Sequence, residues 1–142
     1  VLFTLGILLS LILTPSCSEE GVKLSDLPEA VAAFITKYYP GVAIDRFGNS
    51  ANTCVVGLRD SATLTFDGKR QWTIIDGNGA TLPQILVYDQ TPEELYAYLE
   101  EIEATNGVYK LERAKGDYGV WLYDSYFEYY AASGEIEYKP MP

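Results

Sequence analysis

The chain has 142 residues, 48% of them hydrophobic, and its 10 basic and 20 acidic side chains give a formal charge of -10. That length suits one compact domain or two very small ones, and the apolar content excludes a disordered chain. The acidic balance argues against nucleic acid and against docking on an anionic lipid surface, both of which need clustered Lys and Arg. Histidine is missing altogether, which removes Ser-His-Asp and Cys-His catalysis and the commonest zinc ligand.

Residues 1–13 read VLFTLGILLSLIL, an apolar run of signal-peptide length and short for a bilayer span. TPSC follows, ending at Cys17. This resembles the lipobox of bacterial lipoprotein signals, in which the cysteine becomes the lipidated first residue. Thr14 stands where Leu is usual, and no basic residues precede the run. Residues 1–17 are therefore read as a lipoprotein signal with Cys17 as the lipidation site. An ordinary cleaved signal and an uncleaved anchor are the alternatives. Ser18, Glu19 and Glu20 read either as the acidic surface-export signal of Bacteroidetes lipoproteins or as a solvated linker, within a tether of residues 18–25. Cys54 lies in the apolar run CVVGL, where a lone thiol acts as a small buried hydrophobe.

The next elements repeat. Leu27-Pro28 and Leu82-Pro83 stand about 55 residues apart, and each opens a stretch of helix followed by short strands. The first helix is LPEAVAAFITKYY, with Ser25 or Asp26 as cap and Pro28 in the first turn. Leu27, Val31, Phe34, Ile35 and Tyr38 form its apolar stripe, and Pro40-Gly41 stops it. The second helix opens at Thr91-Pro92-Glu93-Glu94, which has the form of a capping box. Leu95, Leu99 and Ile102 mark its buried side, and Asn106-Gly107 supplies a left-handed cap. The intervening segment, residues 76–90, reads as a connection, and its DGNG lacks the later ligands of a calcium loop.

Four strands follow each helix: AIDRFG, TCVVGL, ATLTFD and QWTIID, then GVYKLERA, DYGVWLY, YFEYYAA and GEIEYK. Their connections are too short for parallel crossovers, so the sheet is antiparallel. The expected fold class is α+β, as two tandem helix-plus-antiparallel-sheet repeats, residues 26–79 and 80–142, with helices packed on one face.

The string LPEAVAAFITKYYPGVAI, followed by strands with FDGKRQW at a hairpin, resembles the PepSY-like family of small exported Bacteroidetes proteins, related in fold to beta-lactamase-inhibitor-type proteins. The resemblance covers most of residues 24–142. The second copy departs from it: no YPG follows its helix, and YFEYYAASGE replaces the FDGK turn. What the resemblance implies is a location in the cell envelope and a role in binding or inhibiting exported enzymes, or in sensing. It brings no catalytic residues and no cofactor.

Twelve tyrosines and two tryptophans supply candidate contact residues. Strand alternation puts Tyr118, Val120 and Leu122 on one side and Trp121 and Tyr123 on the other. If the helices cover Val120, then Trp121, Tyr123, Tyr126 and Tyr130 line an open face, which Tyr138 joins. The same face of the first unit shows Thr53, Val55, Thr63, Thr65 and Thr73. Exposed aromatics suit recognition, although cross-strand aromatic pairs also stabilise sheets and a one-residue slip would turn the set inward. Glu93-Glu94 and Glu100-Glu101 point apart on a helix and make no glycosidase pair. The expected protein is thus a non-enzymatic, metal-free and cofactor-free envelope lipoprotein that binds a protein or peptide through an aromatic face. The alternative is a structural or glycan- or peptide-binding accessory protein.

Overall fold

The computed structural model describes residues 21–142. The apolar leader, Cys17 and the start of the tether lie outside the described residues. After a single 3-10 turn at Leu24–Asp26, the order is α1 (Glu29–Tyr38), β1 (Ile44–Asn49), β2 (Thr53–Leu58), β3 (Thr63–Asp67), β4 (Trp72–Asp76), α2 (Gln84–Gln90), α3 (Glu93–Glu101), β5 (Lys110–Ala114), β6 (Asp117–Trp121), β7 (Tyr126–Tyr130) and β8 (Glu135–Lys139). No helix among the described residues is long and apolar enough to cross a membrane.

The eight strands form one antiparallel sheet in chain order. This overturns the expectation of two tandem helix-plus-sheet units. The strands of the two halves join where β4 pairs with β5, through Ile74–Glu112, Ile75–Leu111 and Asp76–Lys110. The physical reason is edge pairing: an unpaired β4 would present its backbone groups to solvent, and β5 satisfies them. The core is also continuous. Val31 and Ile35 of α1, Leu86 and Val87 of α2, and Leu95 and Leu99 of α3 share one buried cluster with Val56, Leu64, Ile75, Leu111, Val120 and Phe127.

Each helix follows from its local sequence. In α1, Val31, Ile35 and Tyr38 are buried at a spacing of four and three residues. Pro28 precedes the first turn rather than sitting in it, its carbonyl accepting the Ala32 N–H at 3.0 Å. Asp26 instead closes the 3-10 turn, accepting the Lys23 N–H at 2.9 Å. Gly41 takes the left-handed conformation that ends the helical segment.

In the second half the helix starts where Leu82-Pro83 marks it, within the segment read as a connection. Pro92 then breaks the run into α2 and α3. Thr91 does not cap α3. It is buried, and its hydroxyl donates back to the Val87 carbonyl at 2.6 Å. Glu94 is likewise drawn away, accepting the Tyr129 hydroxyl at 2.7 Å, so the expected capping box does not form. The left-handed residue after α3 is Glu103, not Gly107. Glu103 N–H reaches the Glu100 carbonyl and Ala104 N–H the Leu99 carbonyl, the paired bonds of a Schellman ending.

Since all three helices cover one face of the sheet, register alone decides which side chains line the other. One row across the sheet runs Thr63, Asp76, Lys110, Trp121, Tyr126, Lys139. The next runs Val55, Thr65, Ile74, Glu112, Gly119, Glu128, Glu137. A bulge shifts one expected residue: Thr65 faces Ile74 while Phe66 faces Trp72, so Thr73 is the extra residue and Ile74 takes its place in the row.

Candidate functional site

The chemistry-bearing part of the open face lies over β5–β8. The turn between β6 and β7 is tight, Leu122 N–H bonding to the Ser125 carbonyl at 2.8 Å, so Trp121 stands directly opposite Tyr126. Their rings are 4.4 Å apart and inclined at 48°. Lys110, on the other side of Trp121, holds its ammonium 4.6 Å from the tryptophan ring, a cation–π contact.

Below this stack, strand alternation sets Glu128 between Tyr126 and Tyr130. Its carboxylate accepts the Tyr126 hydroxyl at 2.8 Å on Oε2 and the Tyr130 hydroxyl at 2.7 Å on Oε1. Lys139 adds its ammonium at 2.8 Å from Oε1. These donors all favour the ionised form. Lys139, then Tyr130, then Tyr126 hold the Glu128 carboxyl down at about 2. The tyrosine hydroxyls move the opposite way: burial first, then Glu128, raises Tyr126, while the bond to Glu128 raises Tyr130. Lys139 is raised by Glu128.

Gly119 makes room for this arrangement. A Cβ there would come within 2.9 Å of the Tyr126 hydroxyl and 3.2 Å of the Trp121 ring, so only glycine lets Tyr126 lie across the neighbouring strand. Beside it is a depression of about 430 Å³, walled by Tyr126 and Tyr130 and flanked by Glu112, Asp117 and Glu128.

The expected site residues divide. Trp121 packs on Tyr126, which is buried, and Tyr130 is joined to Tyr126 through Glu128. Tyr123 sits on the β6–β7 turn, 81% exposed, with its ring 6.1 Å from Tyr109. Tyr138 is on the opposite face: it pairs with Phe127, packs 5.3 Å from that ring and shares a 2.7 Å hydrogen bond with Tyr98 of α3. Residue parity across the β7–β8 pairing puts Tyr138 there, and Lys139 takes the open-face position. Glu128, Gly119, Lys110 and Lys139 were missed. The alternation Tyr126-x-Glu128-x-Tyr130 carried the signal for Glu128, since all three share one face.

Other sequence candidates are structural. Cys54 is free and fully buried, and burial raises its thiol above the ordinary range. In DGNG, Asp76 accepts the Asn78 N–H at 2.8 Å, and the Asn78 amide donates to the Ser61 carbonyl and the Thr63 hydroxyl. No group of three or more Cys, Asp or Glu is placed to hold a metal among the described residues.

No protein-family model matches the chain, and no curated protein matches it. Solved structures do. One is a predicted periplasmic protein of the DUF2874 family from Bacteroides vulgatus, with a TM-score of 0.69 and 19% identity over 84% of this chain and 94% of that one. A second, from the same organism, is a predicted periplasmic protein of unknown function, with a TM-score of 0.66 and 20% identity over 83% and 95%. A third is a predicted calcium-regulated periplasmic protein from Bacteroides thetaiotaomicron, with a TM-score of 0.68 and 18% identity over 84% and 94%. At these identities the likeness is one of fold. The chain has the fold of these Bacteroides proteins along nearly their whole length.

Proposed function

We propose that the chain is an exported, non-enzymatic binding protein of the cell envelope, which takes a protein or peptide on the open face around Trp121, Tyr126 and Tyr130. The observation that carries this reading is the one-sided placement of aromatic and charged groups. Three strands of the open face carry Trp121, Tyr126, Glu128, Tyr130 and Lys110 in adjoining rows, beside a depression of about 430 Å³. Large rigid rings next to fixed charges are the usual anchors of recognition, because they bring contact area at little entropy cost. The periplasmic descriptions of the similar structures support the envelope location. The PepSY-like reading of the FDGK-x-x-W hairpin and the lipid anchor at Cys17 belong to the same proposal. Incorporation of labelled palmitate, lost in Cys17→Ser, tests the anchor.

The binding reading is tested by crosslinking capture from native envelopes. The bait is the protein itself, beside a Trp121→Ala/Tyr130→Ala variant and a Thr53→Ala/Thr65→Ala variant. A saturable partner lost only from the aromatic variant supports the reading. Equal capture by all three removes the proposed face.

A further inference from the structure

In a chain this acidic, a pocket with two guanidinium groups and no carboxylate in its lining is a chemical anomaly. It lies on the helix side, between α1 and the β3–β4 hairpin, and holds about 280 Å³. Arg70, Arg113, Gln71, Gln90, Trp72 and Phe34 line it. It is separate from the open face, and the FDGK-x-x-W hairpin builds one wall.

One cation is fixed in place. Arg113 donates Nε and Nη2 to the Trp72 carbonyl at 3.2 and 2.8 Å, and its guanidinium carbon stacks 4.1 Å from the Trp72 ring centre. Trp72 Nε1 donates to Gln90 Oε1, the Gln90 amide to the Tyr38 hydroxyl, and Tyr38 to Asp89, each at 2.9 Å. Lys37 completes the chain, 3.1 Å from Asp89. The back wall is therefore preorganised by α1, α2, β4 and β5 together.

The other cation is placed at a cost. Arg70 has a φ of 64°, a conformation that glycine adopts freely and that the Cβ of any other residue disfavours. Its Nη1 is buried with no hydrogen-bond partner among the described residues, and Nη2 reaches only the Ser50 carbonyl at 3.5 Å. The nearby acids are committed elsewhere. Asp67 accepts the Lys69 and Gln71 N–H groups at 2.9 and 3.0 Å, and Asp89 serves Lys37 and Tyr38. A buried guanidinium N–H without an acceptor calls for one.

We propose that this pocket binds a carboxylate, presented by the end of a peptide chain or by an acidic side chain. The Arg70 guanidinium supplies one donor, the uncommitted edge of Arg113 a second and the Gln71 side-chain amide a third. Two guanidiniums suit a two-oxygen planar acceptor, and Trp72 and Phe34 provide apolar contact for the carbon that bears it.

The test is a titration of the ¹⁵N-labelled protein at low salt, following the Trp72 indole and arginine Nε resonances. The probes are N-acetylglycine for a chain end, N-acetylaspartic acid amide for a side chain, N-acetylglycinamide as the neutral control and inorganic phosphate. The expected result is saturable shifts with one or both carboxylates and none with the neutral control. Arg70→Gln, in the turn between β3 and β4, weakens binding roughly tenfold or more, with the remaining spectrum unchanged. The two carboxylate probes decide the source. No saturable shift, equal affinity in Arg70→Gln, or tighter binding of phosphate than of either carboxylate overturns the proposal.

Discussion

The two halves of the open face occupy one sheet and the same register rows, yet they differ in what they offer. Over β2–β4 the rows carry Thr53, Val55, Thr63, Thr65 and Ile74. Over β5–β8 the same rows carry Lys110, Glu112, Trp121, Tyr126, Glu128 and Lys139. Each half has a glycine with a long side chain lying over it. Gly57 is covered by the flexible end of Arg46, while Gly119 is covered by Tyr126 and Trp121, which hold each other and Glu128. The backbone thus places both halves equally, and only the side chains make one of them a candidate site. Fold and function separate here within one sheet.

The largest expected effect breaks the comparison at its glycines. Gly119→Ala must displace a ring held at both ends, and costs about 1–3 kcal/mol as an overpacked contact. Gly57→Ala meets only the Arg46 guanidinium, which swings away, and costs under about 1 kcal/mol. Urea unfolding of both variants measures the difference, and equal costs would mean that Tyr126 is as mobile as Arg46.

Next comes Trp121→Ala. It removes the pair with Tyr126 and the Lys110 contact, for a loss of about 1–2 kcal/mol. Thr65→Ala, in the neighbouring row of the other half, stays within about 0.5 kcal/mol.

The third expected effect is a pH dependence confined to the aromatic half. Glu128 is held at about 2 in the folded protein against an ordinary 4.5. A lowered carboxylate stabilises the fold fully above its unfolded value and loses that contribution as pH falls through its folded value. Stability referred to Glu128→Gln should therefore fall between about pH 4.5 and pH 2. The same measurement with Thr65→Val should give no such slope. Tyr123→Phe is the smallest change, within about 0.5 kcal/mol, because the ring is exposed on a turn.

Much of this layout was legible in the sequence. All eight strands and two of the three helices follow from periodicity and turn residues, and alternation put Trp121, Tyr126 and Tyr130 on one face. Three things were not legible. Whether the halves share a sheet depends on the β4–β5 pairing, a long-range contact that no local pattern encodes. The helix α2 is only two turns long, and Pro92 hides it by breaking the run into α3. Tyr138 was assigned to the wrong face because the β7–β8 loop length sets its parity. The charged members of the site were passed over for a different reason. Glu128 and Lys139 look like ordinary solvated strand residues until the register brings them within 2.8 Å of each other.

The most direct test of the central claim compares the two halves in one experiment. A photo-crosslinking phenylalanine analogue replaces Tyr130 in one version of the protein and Thr65 in another, each expressed in its native envelope and irradiated. The account predicts a discrete adduct from position 130 and none from position 65. Adducts of equal yield from both positions, or an adduct from position 65 alone, would contradict it.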